Sequence, residues 1–94
     1  MLLLKNIEYG IIRGSIYDFE FAGDELPLHI HTEKDNHITI VAKGKFKVYS
    51  HDWEIEATEG QLLDFEPDQP HAFKALEDNS RLFNLVRAEN DVLL

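Results

Sequence analysis

Five histidines stand out in a chain of 94 residues that contains no cysteine. His29 and His31 are two residues apart in a short stretch that is typical of a strand, so both imidazoles project from one face. This arrangement suits a shared metal ion, but it also fits a solvent-facing or hydrogen-bonded pair. Without cysteine, disulfide scaffolds, cysteine zinc sites and thiol nucleophiles are excluded. A metal held by nitrogen ligands is therefore the natural source of chemistry.

The composition excludes several classes of partner. Lys and Arg number 9 and Asp and Glu number 18, and the resulting net charge of −9 opposes binding to nucleic acid or to anionic membranes. The longest apolar run, residues 1–4, is far shorter than the roughly 18 residues of a membrane span, and no signal peptide is evident. We expect one cytoplasmic domain over residues 1–94 that binds neither nucleic acid nor membrane.

The elements that must position the histidines are short strands. Turn residues recur about every ten positions, which is the spacing of a sandwich or barrel, and helical periodicity is nowhere sustained. About eight strands can close a small barrel whose mouth holds one small ligand. We predict about nine strands in one antiparallel domain, including 15–22, 28–31, 37–42, 46–49, 53–56, 61–65, 71–76 and 81–87.

The spacing of glycines and histidines resembles the first signature of the cupin family. That signature runs Gly, five residues, His-X-His, three or four residues, Glu, six residues, Gly. Here five residues separate Gly23 from His29, five separate His31 from His37, and six separate His37 from Gly44. His37 therefore stands where the family usually has glutamate, after a loop that is one residue longer.

The second cupin signature also has a counterpart. Gly60 and His71 are eleven positions apart, as in the family, and Pro67 and Pro70 resemble its proline-rich approach to the histidine. The resemblance covers residues 23–71. It implies an all-β fold, a single antiparallel cupin-type β-barrel of the double-stranded β-helix or jelly-roll kind. Because small barrels of this family are often dimers, it also implies a homodimer.

The resemblance implies one divalent transition metal. Imidazole suits iron, nickel, copper and zinc, and manganese also occurs in cupins, whereas calcium and magnesium prefer oxygen. A three-histidine site without His37 and a site with Glu33 as replacement ligand are alternatives. His51, in a turn beside Asp52, is expected to be an ordinary surface residue. The four implied ligands are His29, His31, His37 and His71.

Strand parity predicts the wall of a ligand pocket. Thr39 shares a face with His37, and Phe73 shares a face with His71. The early strand has an aromatic face, and Asn84 joins the pocket if its own face points inward. This parity places no Arg or Lys inward that would clamp a phosphate. The catalytic residues are unknown, with Glu33 as the one candidate acid or base. The predicted pocket residues are Tyr17, Phe19, Thr39, Phe73 and Asn84, and Phe21 continues the aromatic face.

The fold alone does not determine the function, because cupins include dioxygenases, sugar isomerases and proteins without known chemistry. Our first hypothesis is a small metal-binding cupin with dioxygenase-type activity on a small anionic or enolisable metabolite. One alternative is a sugar isomerase or epimerase. Another is a non-catalytic module that binds a small molecule or a metal, including a structural zinc closed by four ligands.

Overall fold

The computed structural model of the chain describes residues 2–9, 12–29, 37–65 and 69–87; at the end positions Tyr9, Ile12, His37, Val86 and Arg87 it describes the backbone alone. The predicted all-β class is confirmed. The described ranges contain no helix that is long and apolar enough to cross a membrane. Within these ranges the strands are β1 (Leu2–Tyr9), β2 (Ile12–Phe19), β3 (Glu25–His29), β4 (His37–Lys43), β5 (Lys45–Tyr49), β6 (Glu54–Thr58), β7 (Leu62–Leu63), β8 (His71–Ala75) and β9 (Ser80–Arg87).

The strands form two antiparallel sheets that enclose the core. The five-stranded sheet has the order β1-β2-β9-β4-β7, and the four-stranded sheet has the order β3-β8-β5-β6. After β2 the chain passes repeatedly from one sheet to the other, so strands that are neighbours in a sheet are mostly distant in sequence. Both sheets contribute buried side chains to one hydrophobic cluster, as expected for sheets packed face to face.

Aromatic rings form the centre of this core. Phe46 of β5 contacts Phe19 of the opposite sheet edge-on, with ring centroids 4.9 Å apart. Its centroid lies 6.5 Å from that of Phe73 on β8, again edge-on. All three side chains are at most 2% exposed. Val41 and Leu82, which are also buried, complete the cluster from the five-stranded sheet.

Strand β2 differs from its prediction at both ends. It pairs along its whole length with β1 on one side and β9 on the other, and this pairing extends it back to Ile12. It ends at Phe19 because the carboxylate of Asp24 accepts a hydrogen bond from the Phe21 backbone and folds residues 21–24 into a turn. Phe21 is 55% exposed, so the predicted aromatic face ends at Phe19.

Three glycines of the cupin-like spacing lie at turns with positive φ: Gly23 at 96°, Gly44 at 84° and Gly60 at 89°. The Gly23 amide donates to the Ala75 carbonyl of β8, and the Gly60 amide donates to the Val41 carbonyl of β4. These turns are therefore bonded to the strands that carry His71 and His37. A side chain would strain the backbone at each of the three.

At Gly44 a second constraint is present, because a Cβ there would lie against the Ser80 hydroxyl and 2.8 Å from Ser80 Cβ. At Gly60 a Cβ would meet nothing within 4 Å. We predict that Gly60→Ala lowers the free energy of unfolding by about 1–2 kcal/mol through backbone strain alone. Gly44→Ala should cost about 1–3 kcal/mol more, because Ser80 must also move. Urea unfolding of the two variants measures the difference, and equal losses would contradict the close approach.

Candidate metal and ligand site

Two of the predicted ligands lie side by side at one end of the four-stranded sheet. His29 of β3 and His71 of β8 are directly opposite each other in the antiparallel ladder. Their ring centroids are 4.4 Å apart and the rings meet edge-on at 64°. The residues are 42 positions apart in sequence, so this pairing depends on the sheet. Two imidazoles at this separation can share one ligand.

The two rings are oriented in the same way. His29 Nδ1 donates to the Pro27 carbonyl at 2.7 Å, and His71 Nδ1 donates to the Gln69 carbonyl at 2.8 Å. Because a carbonyl can only accept, Nδ1 carries the proton in both rings. In the neutral imidazole, Nε2 is then the nitrogen with a lone pair, which is the form that binds metals.

A proline lies at or beside each of the two carbonyls that accept from the histidines, and it fits the local backbone in both places. Pro27 lacks an amide donor, which is tolerated because β3 is an edge strand. The β3–β8 register also shifts between Leu26 and His29. Pro70 restricts the residue before it, Gln69, to extended conformations, and this helps to aim the carbonyl that orients His71.

Aromatic neighbours hold the ring of His71 in place. Phe65 stacks on it with a centroid distance of 3.8 Å and an interplanar angle of 2°. Phe73 approaches the same ring edge-on at 5.9 Å. His71 is 1% exposed. The Gln69 hydrogen bond and these ring contacts hold the orientation of His71, as a preorganised ligand requires.

A cavity of about 90 Å³ lies between the histidine pair and the inner face of the five-stranded sheet. A cavity of this size is larger than one water molecule needs, so it can take a small group of non-hydrogen atoms. Leu82 and His71 are 1% exposed, whereas the lining residues Tyr17, Leu26, His29 and Asn84 are half-buried, so the cavity opens on the side of these four. The lining residues are Tyr17, Leu26, His29, Thr39, His71, Phe73, Leu82 and Asn84.

A row of small polar side chains crosses the inner face of the five-stranded sheet beside this cavity. Asn6, Ser15, Asn84 and Thr39 are successive partners in the ladders of β1, β2, β9 and β4. Thr39 donates to the Asn84 side chain at 3.2 Å, and Ser15 donates to Asn6 at 3.2 Å. Thr39 is only 4% exposed. Hydroxyl and amide groups thus face the imidazoles across the cavity.

The predicted ligand residues are described to different extents. His29 and His71 come together, and His51 lies in an exposed turn away from them. His31 and Glu33 lie outside the described residues, and of His37 only the backbone at the start of β4 is described. Within the described side chains, no three His, Asp or Glu residues come together as a metal site.

Four of the five predicted pocket residues line the cavity, namely Tyr17, Thr39, Phe73 and Asn84. The fifth, Phe19, lies in the hydrophobic core, fully buried against Phe46, and not in this wall. The side chain of Asn84 faces inward, which the sequence left open.

Sequence analysis missed several residues of the site. Leu26 and Leu82 are ordinary apolar strand residues, and nothing in the sequence marks them as cavity lining. The stacking of Phe65 on His71 depends on the return of the chain between sheets. Outside the cavity lining, Arg13 lies four positions before Tyr17 on the inner face of β2, but the predicted strand began only at residue 15. Continuing its alternation back by one pair would have placed Arg13 inward.

Comparisons with known proteins identify the fold. No family model matches the chain, and no curated protein matches its sequence. The structure is similar to that of KdgF from Halomonas sp., with a TM-score of 0.79 and 21% identity over 96% of this chain and 81% of that one. It is also similar to an RmlC-like cupin protein from Desulfovibrio desulfuricans, with a TM-score of 0.75 and 24% identity over 90% and 81% of the two chains.

A third similar structure is an uncharacterised protein with a double-stranded β-helix domain from Klebsiella pneumoniae. Its TM-score is 0.78, with 14% identity over 95% of this chain and 78% of that one. The chain therefore has the cupin fold, the double-stranded β-helix that the glycine and histidine spacing predicted. At these identities the likeness establishes the fold and not an activity.

The Phe65 stack generates a spectroscopic prediction. In Phe65→Leu, the NMR signals of the His71 ring protons should move downfield, because they lose the shielding of a parallel ring 3.8 Å away. His29, whose ring contact is with His71, should change less. Spectra recorded with diamagnetic zinc as the added metal provide the measurement. Unchanged His71 signals would show that the stack is absent in solution.

Proposed function

We propose that this protein binds one divalent transition metal through its histidines and holds a small polar molecule beside it in the cavity. The observation that carries the proposal is the His29–His71 pair, 4.4 Å apart and oriented alike by backbone carbonyls. His31 and His37 are proposed as the further ligands on the cupin resemblance. A site of three histidines without His37 is the smaller form of the same proposal.

The donor chemistry of the described residues fits such a metal. Each ring directs its proton to a carbonyl, which is the usual second interaction of a metal-binding histidine. Both rings lie in an apolar and aromatic setting that includes Leu26, Phe65 and Phe73. A bound metal of the iron, manganese, nickel, copper or zinc group would supply Lewis acidity towards an oxygen-containing ligand.

The chain's own residues select what enters the cavity. Thr39 and Asn84 offer a hydroxyl and an amide on one wall, and Tyr17 adds a phenol. Phe73 and Leu82 exclude water from the inner end. A volume of about 90 Å³ limits the enclosed group to a small one. These features favour a small molecule with carbonyl, carboxylate or hydroxyl oxygens, the class in which enolisable metabolites fall.

The candidate reaction for this arrangement is of the dioxygenase type, in which metal and substrate meet in a site shielded from water. The aromatic enclosure of His71 is the feature that favours it. Among the side chains that line the described cavity, those that can move a proton are His29, His71 and Tyr17. A cytoplasmic location and the role of Glu33 stay predictions from the sequence.

Metal analysis tests the proposal. Protein purified without added metal should carry about one transition-metal ion per chain, measured by elemental analysis. His29→Ala and His71→Gln should each lose most of it, because each removes one oriented imidazole. Circular dichroism checks that both variants retain the β fold.

His51→Ala is the matched control, since His51 lies in an exposed turn outside the cavity lining. It should retain the metal of the unmodified protein. Equal loss in all three variants, or no transition metal in the unmodified protein, would contradict the proposal. Stoichiometric zinc that resists chelators would favour the closed structural site instead.

We also propose that the outer face of the five-stranded sheet packs against a second copy of this chain. The outer face of the other sheet carries the ion pairs Lys45–Glu56 and Lys47–Glu54. The outer face of the five-stranded sheet carries such a pair, Asp18–Arg81, but alternation along its strands also places a continuous apolar set there, in which Ile38 is 47% exposed. The set is Ile16, Ile38, Ile40, Leu62, Phe83 and Leu85.

The size of this face fits a stable dimer. Four strands of seven or eight residues and the two-residue β7, at about 3.3 Å per residue and about 4.8 Å between strands, give roughly 500 Å² of projected area. An accessible surface is larger than its projection, so the face approaches the roughly 800 Å² per partner of a standard interface. A self-complementary contact of one flat face with its own copy produces a closed twofold dimer.

Sedimentation velocity tests the dimer. The protein should sediment with twice the mass of one chain, and Ile38→Asp should shift it to the monomer by placing a charge in the interface. Ile55→Asp is the control, because Ile55 is 46% exposed on β6 of the other sheet. A monomeric unmodified protein, or equal dissociation by both variants, would contradict this assignment.

A further inference from the structure

We infer that Arg13 makes the site selective for anionic ligands. It would bind the carboxylate of a small molecule whose other end lies in the cavity. This inference rests on the proposed ligand-binding function and deepens it. Arg13 belongs to β2 and lies two residues before Ser15 and four before Tyr17. Because every second side chain of a strand points to the same side, Arg13 is on the inner face of the five-stranded sheet with them.

The strand register places Arg13 at the open side of the cavity. Ser15 is opposite Asn84, and Arg13 is opposite Val86, one step further along β9 in the direction from Leu82 to Asn84. This is the direction in which exposure of the lining increases. Two residues along a strand span about 7 Å, so the Arg13 Cα lies about that far beyond Ser15. A long guanidinium side chain covers such a distance.

Arg13 carries the positive charge of this face, in an exposed ion pair with Glu8. Along the inward-facing positions of the described strands, no other Lys or Arg occurs. Lys5, Lys47 and Lys74 alternate with inward residues and face outward, and a register shift in β4 sets Lys43 opposite Arg81, which also faces outward. The cavity lining itself holds imidazole, phenol, hydroxyl and amide groups. In a chain of net charge −9, Arg13 therefore supplies the local attraction for an anion at this end.

The ion pair of Arg13 with Glu8 is weak, so a ligand can replace Glu8. Arg13 Nε lies 3.7 Å from Glu8 Oε1, and the two side chains are 60% and 78% exposed. An exposed pair of this kind contributes little to stability, because water screens both charges. Arg81 and Asp18 on the outer face are different, since two hydrogen bonds of 2.5 and 3.1 Å join them. A ligand carboxylate can form that stronger forked arrangement with Arg13 in place of Glu8.

The ligand that fits is a small hydroxy- or oxo-carboxylate. Its carboxylate lies at Arg13, and its hydroxyl or carbonyl oxygen reaches the Thr39 and Asn84 groups in the cavity. Glycolate and its neutral analogue glycolamide are matched probes for this idea, because they differ in charge and hardly in size. The dissociation constant of each follows from the rise of Tm with probe concentration at constant ionic strength.

We expect glycolate to bind more tightly than glycolamide. Arg13→Gln should weaken glycolate about tenfold and leave glycolamide unchanged, because a charge-assisted hydrogen bond is lost only for the anion. Glu8→Gln should tighten glycolate by removing the competing carboxylate. Lys5→Gln is the control of equal charge change on the outer face, and it should alter neither constant.

The outcomes separate the two proposals. If glycolamide binds as well as glycolate, or if Arg13→Gln and Lys5→Gln weaken glycolate equally, the cavity function stands and the role of Arg13 is overturned. If neither probe raises Tm in the unmodified protein, the proposed ligand binding falls and the inference falls with it.

Discussion

The contact of Phe46 with Phe19 across the two sheets is the interaction on which the rest of the structure depends. A chain of 94 residues has a thin core, and each fully buried phenylalanine contributes about 1.5–3 kcal/mol. Phe19 and Phe46 lie towards one end of the space between the sheets, where Phe46 is opposite Ala75 of β8. The other end is therefore available to polar groups, and the cavity occupies the place where the core stops.

Several strands contribute to both regions because their side chains alternate. On β2 the inner face runs from buried Phe19 through half-buried Tyr17 and Ser15 to exposed Arg13. On β8 it runs from Ala75 through Phe73 to His71. The packing that stabilises the fold thus also positions the site. If one of these strands shifted its register by one residue, the site residues of that strand would turn outward. A site built on such strands is rigid, which suits metal ligands that must converge.

The spacing of glycines and histidines implied the fold through its resemblance to the cupin signatures, and the glycines of that spacing meet local backbone requirements. Gly23, Gly44 and Gly60 have positive φ, and the amides of Gly23 and Gly60 bond to the strands that carry His71 and His37. The limits of β2 could not be predicted in this way. Pairing with β1 and β9 extends its start, and a side-chain hydrogen bond of Asp24 ends it. For this reason Phe21 was expected inward and Arg13 was missed.

The sequence by itself determined the all-β class, the turn positions and the residue types able to bind a metal, since these depend on local conformation and donor chemistry. It also placed Tyr17, Thr39 and Phe73 on pocket faces through the two-residue period of strands, and it left the face of Asn84 open. Only the tertiary structure decided that His29 lies beside His71, that Phe65 stacks on it and that Phe19 belongs to the core. These relations join residues far apart in the chain, and they exist only once the two sheets pack and the register between strands is set.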